Sequence, residues 1–140
     1  MTRKASAITC IVLCLLLGAV LFGCSAQQQT GDALAAAYRK ITPEQAMDMV
    51  NDGDGWVLLD VRTEAEFAAQ RIEGAVLIPD NEIAARVERE IADKDAIVLV
   101  YCRSGRRSAE AAHAMVDMGY TGVYDFGGII DWPYDTVGAP

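Results

Sequence analysis

Ala96-Ile-Val-Leu-Val-Tyr101 is an unbroken apolar run. It is too short for a comfortable helix and rich in β-branched side chains, so it predicts a strand buried on both faces. A strand of that kind belongs in a parallel sheet covered by helices, and this constrains the fold more than any other stretch. Cys102 follows at once, and then Arg103-Ser-Gly-Arg-Arg-Ser108. Ala109 to Met118 has helical composition, and Gly119 stands where such a helix stops. One cysteine is thus placed where a buried strand ends, and the loop after it feeds a helix N-terminus. In open α/β sheets that edge is where ligands bind.

The placement has chemical consequences. Backbone N–H groups of a tight loop, with the unpaired N–H groups of a first helical turn, make a concave anion site. A thiol held there should ionise more readily than the ~8.5 of free cysteine, because the thiolate is the form being solvated. Arg103, Arg106 and Arg107 add three positive charges to the same loop. Gly105 lets the backbone turn tightly or take a positive φ without steric cost. A structural cysteine among solvated arginines is the plainer reading, but packing alone gives no reason for a strand-end cysteine, a glycine turn and three arginines to coincide.

Cys102-Arg-Ser-Gly-Arg-Arg-Ser108 resembles the active-site loop of the rhodanese-family sulfurtransferases. Leu59-Asp-Val-Arg62, Glu66-Phe67 and Arg71-Ile-Glu-Gly-Ala75 with Ile78-Pro79 resemble that family's first signature. Gly119-Tyr120, Val123-Tyr124 and Gly127-Gly-Ile129 with Trp132 resemble its closing segment. The resemblance covers roughly residues 34–140; one departure is Arg71, where many members carry a histidine. It implies a rhodanese-like α/β fold, a small parallel sheet with helices on both faces. It also implies an enzyme that moves sulfane sulfur from thiosulfate or a persulfide to a thiol or cyanide through a Cys102 persulfide. Arg103, Ser104, Gly105, Arg106, Arg107 and Ser108 would bind the small anionic donor, and a partner protein's thiol is one acceptor that an open loop admits. No cofactor is implied.

Met1-Thr-Arg-Lys4 is a short basic start, and an apolar run from Ala5 to Gly23 follows. That layout reads as a secretory signal rather than part of the fold. Leu21-Phe-Gly-Cys24 resembles a bacterial lipoprotein box, which implies cleavage before Cys24 and lipidation of its thiol. An uncleaved anchor is the alternative, since the run nearly spans a bilayer core of about 30 Å. Either way Arg3 and Lys4 favour the inside, so the domain is expected outside the cytoplasm, tied to a membrane. The chain then divides into a leader at 1–23, a lipidated cysteine and flexible tether at 24–33, and a domain at 34–140.

Of four cysteines, Cys10 and Cys14 fall in the leader and Cys24 carries lipid, so Cys102 remains the free thiol of the domain. No disulfide framework or Cys-x-x-Cys pair results. With one histidine, His113, and no clustered ligands, no metal site is expected, and His113 reads as an ordinary helical residue. Losing Arg3 and Lys4 takes the formal charge from −8 to −10. So acidic a surface argues against nucleic acid and against adhesion to anionic lipid, while a local basic loop suits a small anion.

Tyr38 to Ile41 suggests a short edge strand. Thr42-Pro43-Glu44-Gln45 opens a helix with a capping box, and Ala46, Met49 and Val50 form its inward stripe. Trp56 to Asp60 predicts a buried strand, Thr63 with Glu66 a second capping box, and Ala75 to Ile78 a third strand. Asn81 to Ala92 carries Ile83, Val87 and Ile91 at four-residue spacing, a helix with one apolar face. Val123 to Asp125 predicts the last strand, and Trp132 and Tyr134 are expected to cover the core. Asp60 and Arg62 share the strand-end edge with Cys102, where they would brace the active loop rather than contact substrate; a local ion pair tying strand to helix is the plainer alternative. Three other readings compete. A cysteine-dependent phosphatase or arsenate reductase resembles Cys-x5-Arg, yet here the arginine comes one residue early, at Arg107. A non-catalytic rhodanese-like module for binding or sensing sulfur usually lacks the cysteine. Thiol–disulfide exchange would need a resolving cysteine from elsewhere.

Overall fold

The computed structural model describes residues 37–53 and 55–138; the leader, Cys24 and the tether lie outside the described residues. Strands and helices alternate along this span. In chain order they are β1 (Tyr38–Lys40), α1 (Pro43–Asn51), β2 (Trp56–Asp60), α2 (Glu64–Ala69) and β3 (Val76–Leu77). A 3-10 turn at Asp80–Glu82 leads into α3 (Ile83–Glu90), and then come β4 (Ile97–Cys102), α4 (Arg106–Asp117), β5 (Gly122–Gly128) and a 3-10 turn at Ile129–Asp131. Both capping boxes form. The Thr42 hydroxyl accepts from the Gln45 N–H while the Gln45 side chain accepts from the Thr42 N–H, and Thr63 and Glu66 repeat the arrangement. Among the described residues no helix is long and apolar enough to cross a membrane.

The five strands pair in parallel in the order β1-β5-β4-β2-β3. The apolar run that opened the sequence reading is therefore the central strand, with every residue from Val98 to Cys102 buried. Its alternation distributes the core. Val98, Val100 and Cys102 meet Ile83, Val87, Ala112 and Met115 of α3 and α4 on one face. Leu99 and Tyr101 meet Ala46 of α1 with Phe126, Ile129 and Trp132 on the other. Trp132 is buried as expected, whereas Tyr134 stays 39 % exposed and lies edge-on over it.

Several boundaries differ from the sequence reading, and three of them have a plain physical cause. Helix α4 starts at Arg106, not Ala109, because Gly105 in the left-handed region ends the loop there and two arginines are good helix formers. Helix α3 is shorter, since Pro79 first directs the chain into the 3-10 turn. Strand β5 runs on to Gly128, since its two glycines continue the ladder across a bulge instead of ending it. Leu59 is fully buried beside Val61 on the α3/α4 face. Leu59→Ala should cost about 2–5 kcal/mol of folding free energy in urea titration, the range for a large cavity in a tight core.

Candidate active site

Cys102 is the last residue of β4 and is 1 % exposed. The chain after it curls back over its sulfur. Gly105, at φ 98°, turns its N–H onto Cys102 Sγ at 3.1 Å, and α4 begins with the next residue. Ser108, fully buried in the first turns of α4, has its hydroxyl 3.0 Å from the Gly105 carbonyl and 3.3 Å from that of Gly127. Burial pushes the Cys102 thiol up. That effect is outweighed by hydrogen bonds from the Ser108 backbone and hydroxyl and from the Gly105 and Ser104 backbones, so the thiol lies below its ordinary value. A thiolate facing fixed backbone N–H donors is a soft nucleophile held ready.

The three loop arginines diverge. Arg107 makes a two-pronged pair with Glu66 of α2 at 2.8 and 2.9 Å. The Arg107 hydrogen bonds hold the Glu66 carboxyl down at about 2, so both partners stay charged at neutral pH. Arg106 lies along the helix surface, paired with Glu110 one turn on at 2.9 Å. Arg103 is exposed and has no carboxylate partner among the described residues; its carbonyl accepts from the Ile130 N–H at 3.3 Å. Its guanidinium is the loop's uncommitted cation. It lines a small cleft with Arg62, Gln70 and Ile130.

Asp60 and Arg62 lie at the same sheet edge as Cys102, but Asp60 shares its face with Leu58 and Tyr101, opposite the sulfur. Arg62 Nε and Nη2 hold the buried Asp60 carboxylate at 2.6–3.0 Å. The same guanidinium donates to the Gln70 carbonyl at 2.5 Å and covers the Tyr101 ring, whose hydroxyl accepts from the Ile72 N–H at 3.2 Å. The pair thus fastens the segment after α2 to the central strand. Arg71 forms a two-way backbone bridge with Val137.

Several residues at the site were missed by sequence reasoning. Asp125 is fully buried on β5, beside Val100, with Lys40 and Tyr38 of β1 against it. Gly127 and Gly128 lie opposite Tyr101 and Cys102, and a Cβ on Gly128 would sit 2.7 Å from the Ser104 Cα. The Gly-Gly pair was visible, but its contact with the loop depends on a strand neighbour distant in sequence. His113 stacks on Tyr38 at 4.3 Å between ring centroids.

A model of the rhodanese-like domain matches residues 42–133. The chain belongs to that family. The thiosulfate sulfurtransferase PspE of Escherichia coli K12 is 37 % identical over 73 residues, 52 % of this chain and 70 % of that protein. A sulfurtransferase of Allochromatium vinosum is 36 % identical over 94 residues, 66 % of this chain and 86 % of its own length. Among solved structures, a rhodanese with anions from E. coli is 33 % identical with a TM-score of 0.57, covering 60 % of this chain and 99 % of that one. A rhodanese-related protein from Thermoplasma volcanium reaches a TM-score of 0.61 at 28 % identity, covering 71 % and 98 %. This rhodanese is a thiosulfate sulfurtransferase-like enzyme, and sulfur transfer is its activity at the level of the family. The cradle makes a direct prediction. The rate of Cys102 alkylation by iodoacetamide, followed against pH, should inflect below the ~8.5 of free cysteine; an inflection at or above that value contradicts it.

Proposed function

We propose that this rhodanese transfers sulfane sulfur by a double displacement at Cys102. The observation that carries the reading is the Gly105 N–H set 3.1 Å from one buried sulfur, where β4 ends and α4 begins. The Cys102 thiolate attacks the outer sulfur of thiosulfate or of a small persulfide. The new S–S bond forms as the old one breaks, and sulfite or a thiolate leaves with the bonding pair. The persulfide anion left on Cys102 is stabilised by the donors that held the thiolate, the electrostatic preorganisation that lowers such barriers. An acceptor thiolate, a partner protein's cysteine included, or cyanide then takes the terminal sulfur and restores Cys102. Donor and acceptor react in turn through one covalent intermediate, so the kinetics are ping-pong.

Arg103 is the residue suited to draw the anionic end of the donor, because Arg106 and Arg107 are already paired. Ser104, Gly105 and Ser108 bind through the loop and first helical turn. Asp60 and Arg62 support the edge without touching the sulfur. The Arg107–Glu66 pair also disfavours phosphatase chemistry, since a phosphate cradle needs that guanidinium inside the loop. We assign the domain to the outside of the cytoplasmic membrane, tethered by lipid on Cys24, on the strength of the basic start, the apolar run and Leu21-Phe-Gly-Cys24.

Intact-mass measurement after mixing with thiosulfate should give a gain of one sulfur atom, reversed by cyanide and absent in Cys102→Ser. No gain with thiosulfate or with a persulfide donor would overturn the catalytic reading in favour of a binding role. For the anchor, cells fed an alkyne-tagged fatty acid should label the protein, and Cys24→Ala should abolish the label; labelling that survives the substitution refutes acylation at Cys24.

A further inference from the structure

The loop around Cys102 is seated on β5, and the seat is itself irregular. Opposite β4, β5 carries one extra residue: Val100 pairs with Asp125, Tyr101 with Gly127 and Cys102 with Gly128, so Phe126 is bulged out. The bulge decides which backbone faces the loop. Without it Gly127 would lie opposite Cys102, and every later residue would be one place out of register. Gly127 takes φ 92°, and its Cα lies 3.5 Å from where a Cβ on Gly105 would be. Its carbonyl lies within hydrogen-bond reach of the Ser108 hydroxyl, and Gly128 packs against Ser104 with no room for a side chain. Gly105 donates its N–H to the sulfur at 3.1 Å, and the Ser104 and Ser108 backbones also favour the thiolate.

One side chain holds this bulge. Asp125 Oδ1 accepts from the Gly127 N–H at 2.9 Å. Its other oxygen accepts from Lys40 Nζ at 2.7 Å and from the Tyr38 hydroxyl at 3.2 Å. A fully buried carboxylate is costly unless paired and hydrogen-bonded, and here each oxygen has its partners. Both partners on the second oxygen come from β1, whose Lys40 is in register with Asp125. Tyr38 is also stacked on His113 of α4, the helix that opens at the thiol.

We infer that Asp125, held by Lys40 and Tyr38, is a positioning residue for the Cys102 loop, acting through the Gly127 bulge and Ser108. The inference rests on Cys102 being the nucleophile, and assigns Asp125 no contact with substrate. Other charges near the sulfur come from Arg107 of α4, paired with Glu66 of α2, from Asp80 of the 3-10 turn, which acts on Arg107, and from Lys40 itself, whose Nζ lies 3.9 Å from where a Cβ on Gly105 would be. Of these only Lys40 touches Asp125.

The test is the rate–pH profile of Cys102 alkylation in the full-length protein and in Asp125→Ala, Asp125→Asn and Lys40→Gln, with folding checked by circular dichroism. A purely structural role lowers the folded fraction but leaves the inflection of the folded protein where it was. Asp125→Ala should move the inflection up by about one pH unit and slow alkylation at pH 7 about tenfold, one unit being one decade in thiolate fraction. Asp125→Asn keeps an oxygen for the Gly127 N–H and loses the ion pair with Lys40, so it and Lys40→Gln should each slow the reaction by about threefold. A parent-like profile in Asp125→Ala overturns the inference, and so does an Asn variant as slow as the Ala variant. If Asp125→Ala does not fold, a parent-like profile in Lys40→Gln overturns it instead. Alkylation uses no sulfur donor, so this result and the sulfur-transfer result are independent of each other.

Discussion

A sulfur anion in a nearly water-free site exists only where protein dipoles replace its hydration, and the cradle of Cys102 meets that demand. Burial alone drives the thiol the other way, toward the neutral form. The donors that reverse it belong to a loop of three residues and one helical turn, and such a loop has no shape of its own. Its shape is imposed from outside. Gly105 in the left-handed region gives the turn, and the glycines at the end of β5 let the loop lie directly on strand backbone. Helix α4 then fixes the remaining donors, with Ala111, Ala112 and Met115 locked into the core beneath. The chemistry at one atom thereby depends on the central strand, its neighbour and the helix that follows.

The charges around the loop divide by task. Arg62 is spent on Asp60 and on the segment after α2, and removing it would strand a buried carboxylate, a loss of about 3–5 kcal/mol in comparable pairs. Arg107 joins α4 to α2 through Glu66, and Arg106 sits on the helix surface with Glu110. Among the described residues Arg103 alone of the loop arginines has no carboxylate partner, one residue from the sulfur. In a chain of net charge −8 this makes the basic character of the loop mainly architectural, with one cation left for an incoming anion.

The short Cys102 loop also separates sulfur chemistry from its phosphate-handling counterparts. A tetrahedral phosphate demands an arginine pointing inward and a wider ring, whereas here Arg107 comes one residue early and is paired with a carboxylate on another helix. A single sulfur needs fewer donors and a narrower seat. Gly105, with its N–H 3.1 Å from Sγ, closes the ring at that size.

Much of this protein was written in local sequence. The apolar run at 96–101 announced a doubly covered strand, the two Thr-x-x-Gln/Glu boxes fixed helix starts, and Cys102 with its glycine and arginines marked the site. Such signals are legible because they depend on neighbours within four residues, through hydrogen-bond geometry and side-chain periodicity. The fate of each arginine, the opposite faces taken by Cys102 and Asp60, and the role of Asp125 were not legible. They follow from register: one bulged residue in β5 sets Gly127 against Tyr101, and β1 returns from far up the chain to lay Lys40 beside Asp125. Local sequence determined which groups could make a thiolate site. Tertiary pairing decided which of them reach it, because strand register brings together residues that lie some 85 positions apart in the chain.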